Sequence, residues 1–331
     1  MKVGVIRGEE NSFPEALIAR INEKSAERNL PIIAEFIKLE TIRMAEPSGY
    51  HVIIDRISHE IPFYRAYLKN AMLSGAHVIN NPFWWSADDK FFNYALAHKI
   101  GVPVPKTVLL PHNAHPPYTS SQSMRNMVYP INWDNVFEYI GFPAFLKPHS
   151  GGGWKHVYKI HNAEEFFNCY NQTGVLCMVL QEGIEFTEYY RCYTVGRKHV
   201  RIMRYDPGKP FFEQYIQNAP PMSPELEEKI IKYCLQINHA LGYDLNTAEF
   251  AVRDGIPYAI DFGNPAPDCD YKSVTAPNFE WVVDKMSDLA IERAQLPAQP
   301  PTEFLWSDFI GQTGFDPVAP PAARTTRGKG K

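Results

Sequence analysis

The sequence predicts an α/β protein whose pattern changes to α+β in its second half. In the first hundred residues, short apolar runs alternate with amphipathic helical patterns, which is typical of a parallel sheet with crossover helices. Beyond residue 140, apolar strands follow one another directly, which indicates antiparallel pairing. With 331 residues, 45% of them apolar and 21% charged, the chain is long enough for two or three lobes with substantial cores.

The first lobe is predicted to span residues 1–85 and to be a small doubly wound sheet. Its strands and helices alternate as strand 3–6, helix 14–29, strands 31–39 and 51–57, helix 61–75 and strand 76–80. Gly75 stands where a helix C-cap is expected. After the first strand the chain reads GVIRGEENSF, which lacks the GxGxxG pattern of dinucleotide-binding folds. An oxidoreductase of that type is therefore not predicted.

A capped helix and a long loop follow the first lobe. Ser86 is the expected N-cap of this helix, acidic residues fill its first turn, and Gly101 ends it. Residues 111–135 are rich in Pro, His, Ser and Asn and have little apolar periodicity. They predict a long surface loop.

The second half predicts several antiparallel strands, one long helix and a closing hairpin. The helix spans residues 223–243, and the hairpin spans 247–262 with Asp254-Gly255 at its turn. From about Leu296 the chain becomes rich in proline and then basic, so we expect residues 296–331 to be partly disordered.

Charge and composition exclude several classes of partner. The formal net charge is −4. Because the last ten residues, AARTTRGKGK, carry four positive charges, the rest of the chain is more acidic still. No basic face for nucleic acid is therefore predicted. No apolar run reaches membrane-spanning length, and the first residues are predicted to be a strand and not a signal peptide. The five cysteines show neither a CxxC pair nor zinc spacing. We therefore expect a cytoplasmic protein with free thiols.

Two carboxylates on the closing hairpin are the first candidates for a functional role. Glu249 and Asp261 lie on opposite strands at the end remote from the turn, and Asn264 follows closely. Two carboxylates and an amide oxygen are hard ligands that suit Mg²⁺. The hairpin alone is also compatible with solvated acids at strand ends.

Two lysines and a glycine-rich loop are the second group of candidates. Lys106 and Lys147 each stand in an apolar strand context, where a lysine calls for an anionic partner, and together they would form a clamp for phosphates. Ser150, Gly151, Gly152 and Gly153 form a loop whose free backbone N–H groups suit a phosphate. Taken singly, the two lysines are also compatible with edge positions, and the glycines with an ordinary hairpin loop. The spacing is not that of a Walker A motif.

A linker-like segment, LQEGIEFTEYY, follows the next strand. Such a segment presents main-chain groups to an adenine edge, and Glu188 beyond it is placed to bind ribose hydroxyls.

Taken in order, these motifs resemble the ATP-grasp superfamily, and among its members the RimK-like carboxylate–amine ligases. The resemblance runs from DRISHEIPFYRAYLKN through VINNPFWWSADDKFFNYALAHKIGVPVPKT, FPAFLKPHSGGGWKHV, LQEGI and RCYTVG to AEFAVRDGIPYAIDFGNP, about residues 50–270. It implies an ATP-grasp fold with an N-terminal doubly wound (pre-ATP-grasp) lobe and two α+β lobes that clamp the nucleotide. The ATP-grasp domain would span 86–295, with a lid lobe over about 106–182 and a catalytic lobe over about 183–295.

The resemblance also implies a role for each matching residue. Lys106 and Lys147 resemble the lysines that hold the α- and β-phosphates of ATP, and Ser150–Gly153 the mobile lid. Gln181, Glu182 and Ile184 match the adenine-binding hinge, and Glu188 the ribose acid. Arg191 matches an arginine that steadies the transferred phosphoryl group. The metal ligands for Mg²⁺, with Mn²⁺ as an alternative, would be Glu249, Asp261 and Asn264.

The sequence departs from the family pattern in three places, which concern the predicted metal ligands and the predicted substrate-binding region. The usual E-x-N is replaced by Asp261-Phe262-Gly263-Asn264, which displaces the asparagine by one residue. The segment FFEQYIQNAPPMS before the long helix lacks the basic character of RimK-like enzymes, and Arg204 is one candidate to replace it. The loop 111–135 has no counterpart and is placed as a candidate cover for the substrate.

The activity implied is ATP-dependent conversion of a carboxylate to an acyl phosphate, which an amine then attacks to form an amide, with release of ADP and phosphate. The substrates would be a small-molecule or peptide carboxylate and an amine, and a homo-oligomer is compatible with the sequence. A kinase that phosphorylates a hydroxyl and a nucleotide-binding protein without turnover remain as alternatives.

Overall fold

The computed structural model describes residues 1–85 and 89–298. Its first sheet is parallel, with strand order β2-β1-β3-β4. The elements of this lobe are β1 (Lys2–Ile6), α1 (Ser12–Glu27), β2 (Ile33–Phe36), β3 (Val52–Asp55), α2 (Pro62–Leu73) and β4 (His77–Ile79). Because side chains alternate along a strand, Val52 and Ile54 pack with α1 while Ile53 packs with α2 on the opposite face. The predicted doubly wound lobe is confirmed.

Two helices lead from this lobe to the rest of the chain, α3 (Pro82–Trp85) and α4 (Lys90–Lys99). The N-cap of α4 is Asp89, whose Oδ1 accepts the N–H of Phe92 at 2.8 Å. The predicted cap, Ser86, lies outside the described residues. Gly101 follows the helix with a φ of +82°, a left-handed conformation that favours glycine, so the predicted end is confirmed.

The second sheet is antiparallel, with strand order β5-β8-β6-β7. It comprises β5 (Thr107–Leu110), β6 (Ala144–Pro148), β7 (Tyr158–Ile160) and β8 (Met178–Glu182), with helices α5 (Trp133–Ile140) and α6 (Ala163–Tyr170). The predicted loop 111–135 contains a short 3-10 helix, Ser121–Met124, and ends where α5 begins at Trp133. Trp133 packs on Phe166 and Tyr170, and this aromatic contact holds α5 against α6.

The third sheet is also antiparallel, with strand order β10-β9-β11-β12. It comprises β9 (Glu188–Val195), β10 (His199–Arg204), β11 (Leu245–Arg253) and β12 (Ile256–Phe262), with the long helix α7 (Pro224–Leu241) between β10 and β11. Ser223 caps α7 at its start, and Gly242 follows it with a φ of +76°. Asp254 and Gly255 adopt positive φ angles of 53° and 71° at the hairpin turn, as predicted.

The helix that ends the described chain returns to the first lobe. After α8 (Tyr271–Val274), α9 (Ala276–Ala294) lies between the first and third sheets and packs along α1. Lys24 of α1 lies 2.7 Å from Asp284 and 3.0 Å from Asp288, and Arg28 lies 2.7 Å from Asp288. Helices α5, α6 and α9 were not predicted from the sequence. In the described part of the chain, no helix is long and apolar enough to cross a membrane.

Candidate active site

The two candidate carboxylates lie directly opposite each other on the closing hairpin. Glu249 of β11 is in register with Asp261 of β12, and the pairing shifts by one residue immediately after Glu249. Tyr189 donates a hydrogen bond of 2.6 Å to Glu249 Oε2. Burial, followed by the charge of Asp261, raises the pKa of Glu249, although the nearby Arg191 opposes the shift. Because a bound cation would relieve both causes of this shift, the pair suits a hard divalent cation.

Asn264, the third predicted ligand, is engaged within its own loop. Its side-chain oxygen accepts the N–H of Ala266 at 3.2 Å, and its backbone N–H donates to Asn246 Oδ1 at 3.1 Å. An amide oxygen has a second lone pair, so this contact is compatible with a further ligand. Among the described residues, no group of three or more His, Cys, Asp or Glu side chains is arranged to hold a metal ion. The candidate metal centre thus consists of two carboxylates and an amide.

Lys147 is a buried lysine in the middle of the second sheet. Its side chain donates to Tyr94 Oη at 2.7 Å and to Gln181 Oε1 at 2.8 Å. Burial lowers the pKa of Lys147 to about 8, and the charges of Asp261 and Glu249 act in the opposite direction. Because the charges of these carboxylates act on Lys147, the lysine of the second sheet lies within electrostatic reach of the candidate metal ligands on the third.

Lys106 has a different environment. It precedes β5, its side chain is exposed, and its ammonium group lies 5.5 Å from the centre of the Tyr139 ring. Its main chain is fixed by Glu182, whose N–H donates to the Lys106 carbonyl at 2.9 Å. Lys106 was expected within a strand beside Lys147, but the strand begins one residue later. Lys106 thus lies exposed at the edge of the second sheet, whereas Lys147 is buried within it.

The glycine-rich segment Ser150–Gly153 is exposed and lies in the connection from β6 to β7. Gly151 and Gly153 have φ angles of +83° and +70°, and a side chain at either position would contact nothing within 4 Å. Glycine is thus favoured by backbone conformation and not by lack of space. Lys90 of α4 lies beside this segment, because its N–H donates to the carbonyl of His149 at 2.8 Å and its ammonium group donates to the carbonyl of Gly151.

The predicted hinge connects the second and third sheets through side chains as well as main chain. Gln181, buried in β8, accepts from Lys147 and donates to Thr107 Oγ1 at 2.9 Å. Glu182 accepts from Arg253 of the third sheet at 2.8 Å and from the N–H of Lys106 at 3.2 Å. Ile184 is buried in the core between the first and third sheets.

Gly183, between these hinge residues, marks a close approach of two backbones. Its N–H donates to the carbonyl of Pro143 at 2.8 Å, and a Cβ at this position would lie 2.6 Å from the same oxygen. Only glycine fits here without a shift of the chain.

Glu188, the predicted ribose acid, is paired with two neighbours. Arg204 donates to its Oε2 at 2.6 Å, and Tyr190 donates to the same oxygen. The hydrogen bond from Tyr190, followed by the contact with Arg204, lowers the pKa of Glu188. A ribose hydroxyl at this carboxylate would therefore share it with an arginine.

Arg191 lies beside Glu249 at the centre of the third sheet. The two residues are in register on β9 and β11, with 3.8 Å between Arg191 Nε and Glu249 Oε1. The guanidinium group lies 5.6 Å from the centre of the Tyr205 ring. Arg191 Nε is buried and has no hydrogen-bond partner among the described residues. A cationic donor next to two carboxylates suits a phosphate or carboxylate oxygen held in the same place.

Four residues of this region were not assigned a role from the sequence. Tyr94 links Lys147 to the third sheet, since its hydroxyl donates to the carbonyl of Ile260 at 2.5 Å. Tyr189, Tyr190 and Arg253 bond the carboxylates of Glu249, Glu188 and Glu182, respectively. The only sequence signal for Tyr189 and Tyr190 is their position beside Glu188 at the start of a strand. Nothing in the local sequence marks Tyr94 or Arg253.

Comparison with known proteins places this geometry in a known fold. No model of a protein family and no curated protein sequence matches the chain. Among solved structures, the D-alanine–D-alanine ligase from Bacillus anthracis complexed with ATP is similar, with a TM-score of 0.61 and 17% identity over 89% of this chain and 96% of that one. A RimK domain ATP-grasp protein from Sphaerobacter thermophilus has a TM-score of 0.61 and 15% identity, over 88% and 100% of the two chains. The ATP-grasp ligase PsnB, complexed with a minimal precursor, Mg and ADP, has a TM-score of 0.58 and 13% identity, over 89% and 98%. The chain described here has the ATP-grasp fold, as the order of its motifs predicts.

Proposed function

We propose that this protein is an ATP-dependent ligase that activates a carboxylate as an acyl phosphate and joins it to an amine. The observation that carries the proposal is the buried ammonium group of Lys147, held on one sheet within electrostatic reach of Glu249 and Asp261 on another. Lysine is seldom buried without an anionic partner, and a phosphate bridged to these carboxylates by a cation would supply one.

The nucleotide would lie between the second and third sheets. Lys106 and Lys147 would hold its α- and β-phosphates, and Ser150–Gly153 would close over them. Glu182 and Ile184 would bind the adenine edge through their main chain. Gln181 would act indirectly, since its side chain already positions Lys147. Glu188 would bind the ribose hydroxyls together with Arg204.

Glu249, Asp261 and Asn264 would hold Mg²⁺, with Mn²⁺ as an alternative. The bound cation would neutralise negative charge that builds up between the phosphates. In the transfer step, Lys147 and Arg191 would hold the migrating phosphoryl group by charge-assisted hydrogen bonds. The substrate carboxylate oxygen attacks the γ-phosphorus, ADP leaves, and the amine nitrogen then attacks the acyl carbon and expels phosphate. Closure of the glycine-rich segment would keep water from the acyl phosphate.

The similar structures favour a ligase over a kinase at the level of fold. They include a D-alanine–D-alanine ligase, a D-Ala:D-Ser ligase and a ligase bound to its precursor peptide. A kinase remains the second candidate, because the same phosphate-binding groups would serve a hydroxyl acceptor. We also propose the division of the chain into residues 1–85, 86–295 and 296–331, and a cytoplasmic location.

The proposal is tested by incubation with ATP, Mg²⁺ and pooled amino acids and metabolites, followed by mass spectrometry and phosphate analysis. ADP, free phosphate and a new condensed mass are expected. ADP with a phosphorylated product and no free phosphate would identify a kinase instead. No nucleotide turnover with any pool would contradict both enzymatic assignments.

A further inference from the structure

A pocket of about 290 Å³ lies on the first lobe, at the carboxyl ends of β1 and β2. Residues 5–8, 36–39 and 63–64 line it, and none of them belongs to the candidate active site. In open parallel sheets, ligands bind in the crevice outside the carboxyl ends of the strands. The volume is near the lower end of the range for ligand pockets, about 300–1,000 Å³, so a small molecule is the expected occupant.

The charges that line this pocket are positive. Of the lining residues, all of which belong to the described first lobe, Arg7 and Lys38 are the charged ones. Lys38 is exposed and forms no ion pair within residues 1–85 and 89–298. Arg7 Nη1 lies 3.0 Å from Glu15 Oε1, but the Glu15 side chain is 62% exposed. An ion pair so open to solvent contributes little free energy, so a ligand can compete for Arg7.

Acidic residues adjoin the lining segments in the chain without lining the pocket. Glu9 and Glu40 are exposed, and neither is a lining residue. Glu10 is engaged elsewhere, because it accepts two hydrogen bonds of 2.8 and 2.9 Å from Arg56. When Glu15 is counted with Arg7 and Lys38, one net positive charge remains at the pocket. This balance suits a singly charged anion.

The guanidinium group of Arg7 lies at the pocket wall together with main-chain donors. Its central carbon is 4.1 Å from the centre of the Phe36 ring, and both residues line the pocket. The backbone N–H groups of Arg7, Gly8 and Lys38 lie just beyond β1 and β2, and in the described chain they donate no hydrogen bond. A guanidinium group and open N–H groups are the donors that oxygen anions prefer. This edge of the pocket therefore suits a carboxylate.

Aromatic side chains from the first turn of α2 form another part of the lining. The rings of Phe63 and Tyr64 contact each other edge to face, with their centres 5.7 Å apart. Phe63 is 47% exposed, so much of its ring remains available for a ligand to cover. The first turn of a helix also carries the positive end of the helix dipole, which attracts an anion. The pocket thus combines aromatic surface with donors for a negative group.

We propose that this pocket binds an aromatic carboxylate, with the carboxylate group at Arg7 and Lys38 and the ring against Phe63 and Tyr64. The inference goes beyond the proposed ligase activity and does not depend on it, because the pocket shares no residue with the candidate nucleotide and metal sites. A neutral compound of the same shape would lack the ion pairs, and a carboxylate without a ring would leave Phe63 uncovered. The site therefore selects ligands that have both features.

The test uses calorimetric titrations of the full chain, without nucleotide, with phenylacetate, its neutral analogue phenylacetamide, and acetate, which lacks the ring. Wild-type protein is expected to bind phenylacetate about tenfold more tightly or better than phenylacetamide, the order expected for a charge-assisted contact. Lys38→Met should lower this preference about threefold or more, and the double variant Arg7→Gln, Lys38→Met should abolish it. Lys159→Met, at an exposed lysine on β7, is the matched control and is expected to keep the preference.

A further variant removes exposed aromatic surface without changing charge. Phe63→Ala is expected to weaken phenylacetate binding about threefold or more and to leave acetate binding unchanged, since only phenylacetate has a ring to lose contact. Equal binding of phenylacetate and phenylacetamide by wild type would overturn the proposal. An unchanged preference in the double variant would also overturn it, because the anion would then bind elsewhere in the chain. Since the titrations contain no ATP, neither result bears on the ligase assignment.

Discussion

The ammonium nitrogen of Lys147 lies 2.7 Å from the hydroxyl oxygen of Tyr94, which in turn donates to the carbonyl of Ile260 at 2.5 Å. This chain of two hydrogen bonds joins β6 of the second sheet to β12 of the third through helix α4. Since Asp261 adjoins Ile260, the bonds that hold the lysine also set its position relative to the candidate metal ligands. The buried phenol thus gives the candidate phosphate clamp a fixed geometry before any nucleotide is present.

Burial of Lys147 predicts a pH dependence of nucleotide binding. Its pKa falls from the ordinary 10.5 to about 8, so the free protein loses this positive charge as pH rises through about 8. Because phosphate binding requires the ammonium form, ATP affinity is expected to decrease above that pH. Titration calorimetry with Mg²⁺-ATP between pH 6.5 and roughly 9.5 measures this, in steps chosen to bracket the lowered pKa. An affinity that stays constant across this range would contradict the role of Lys147.

The lowered pKa of Lys147 also makes the free energy of unfolding depend on pH, and this dependence is opposite in sign to that of ATP affinity. Between pH 8 and 10.5 the unfolded chain still binds a proton at Lys147 that the folded chain has released. The free energy of unfolding therefore rises with pH in that window, since the penalty for a buried charge disappears. Urea titrations of wild type and Lys147→Met should show this contribution in the wild type alone.

Removal of the Lys147 ammonium group is expected to abolish nucleotide-dependent turnover and leave the fold intact. Lys147→Met keeps most of the length of the unbranched side chain and removes the charge, so a loss of about 10³-fold or more in rate is expected, by analogy with other groups that stabilise a transferred phosphoryl group. The matched control is Lys159→Met, an exposed lysine on β7 of the same sheet. Thermal unfolding should show both variants folded. Turnover by Lys147→Met near the wild-type rate would exclude the phosphate-clamp assignment.

The features that the sequence predicts best are those in which local chemistry sets the geometry. The turn at Asp254-Gly255 fixes the register of its hairpin as far as Phe250, which pairs with Ala259. The turn does not encode the one-residue shift that follows, which places Glu249 opposite Asp261 and not opposite Ile260. Helix α7 follows equally well from its cap at Ser223 and its glycine at Gly242. The hairpin turn and helix α7 are each formed by residues that are close together in the sequence.

The features that the sequence misses depend on residues far apart in the chain. Helix α9 packs between α1 and the third sheet, so its buried side chains contact two separate parts of the fold. Its acidic residues pair with Lys24 and Arg28, which lie more than 250 residues earlier in the chain. In the sequence, Tyr94 resembles any aromatic residue of a helix, and its contact with Lys147 is formed only in the folded chain. Such contacts arise from tertiary packing, which no local pattern encodes.

Asp261 is expected to determine how strongly turnover depends on the concentration of Mg²⁺. Asp261→Asn removes one of two paired carboxylates and also removes a charge that raises the pKa of Glu249, so Glu249 should ionise more readily while the site binds Mg²⁺ more weakly. A rise of about tenfold in the Mg²⁺ concentration for half-maximal turnover is expected from loss of one carboxylate ligand. Asp254→Asn, at the other end of the same hairpin, is the control. An unchanged Mg²⁺ dependence in Asp261→Asn would remove this residue from the metal centre.

Gly183 is expected to be required for the stability of the hinge. In Gly183→Ala the new methyl group would lie 2.6 Å from the carbonyl oxygen of Pro143, an oxygen that also accepts the N–H of residue 183. Because two backbone segments would have to separate, a loss of about 1–3 kcal/mol in the free energy of unfolding is expected. Gly152→Ala is the matched control for stability, since a methyl group there meets nothing within 4 Å. Urea titrations of both variants measure the difference, and equal stability would show that the hinge yields to the added methyl group at little cost.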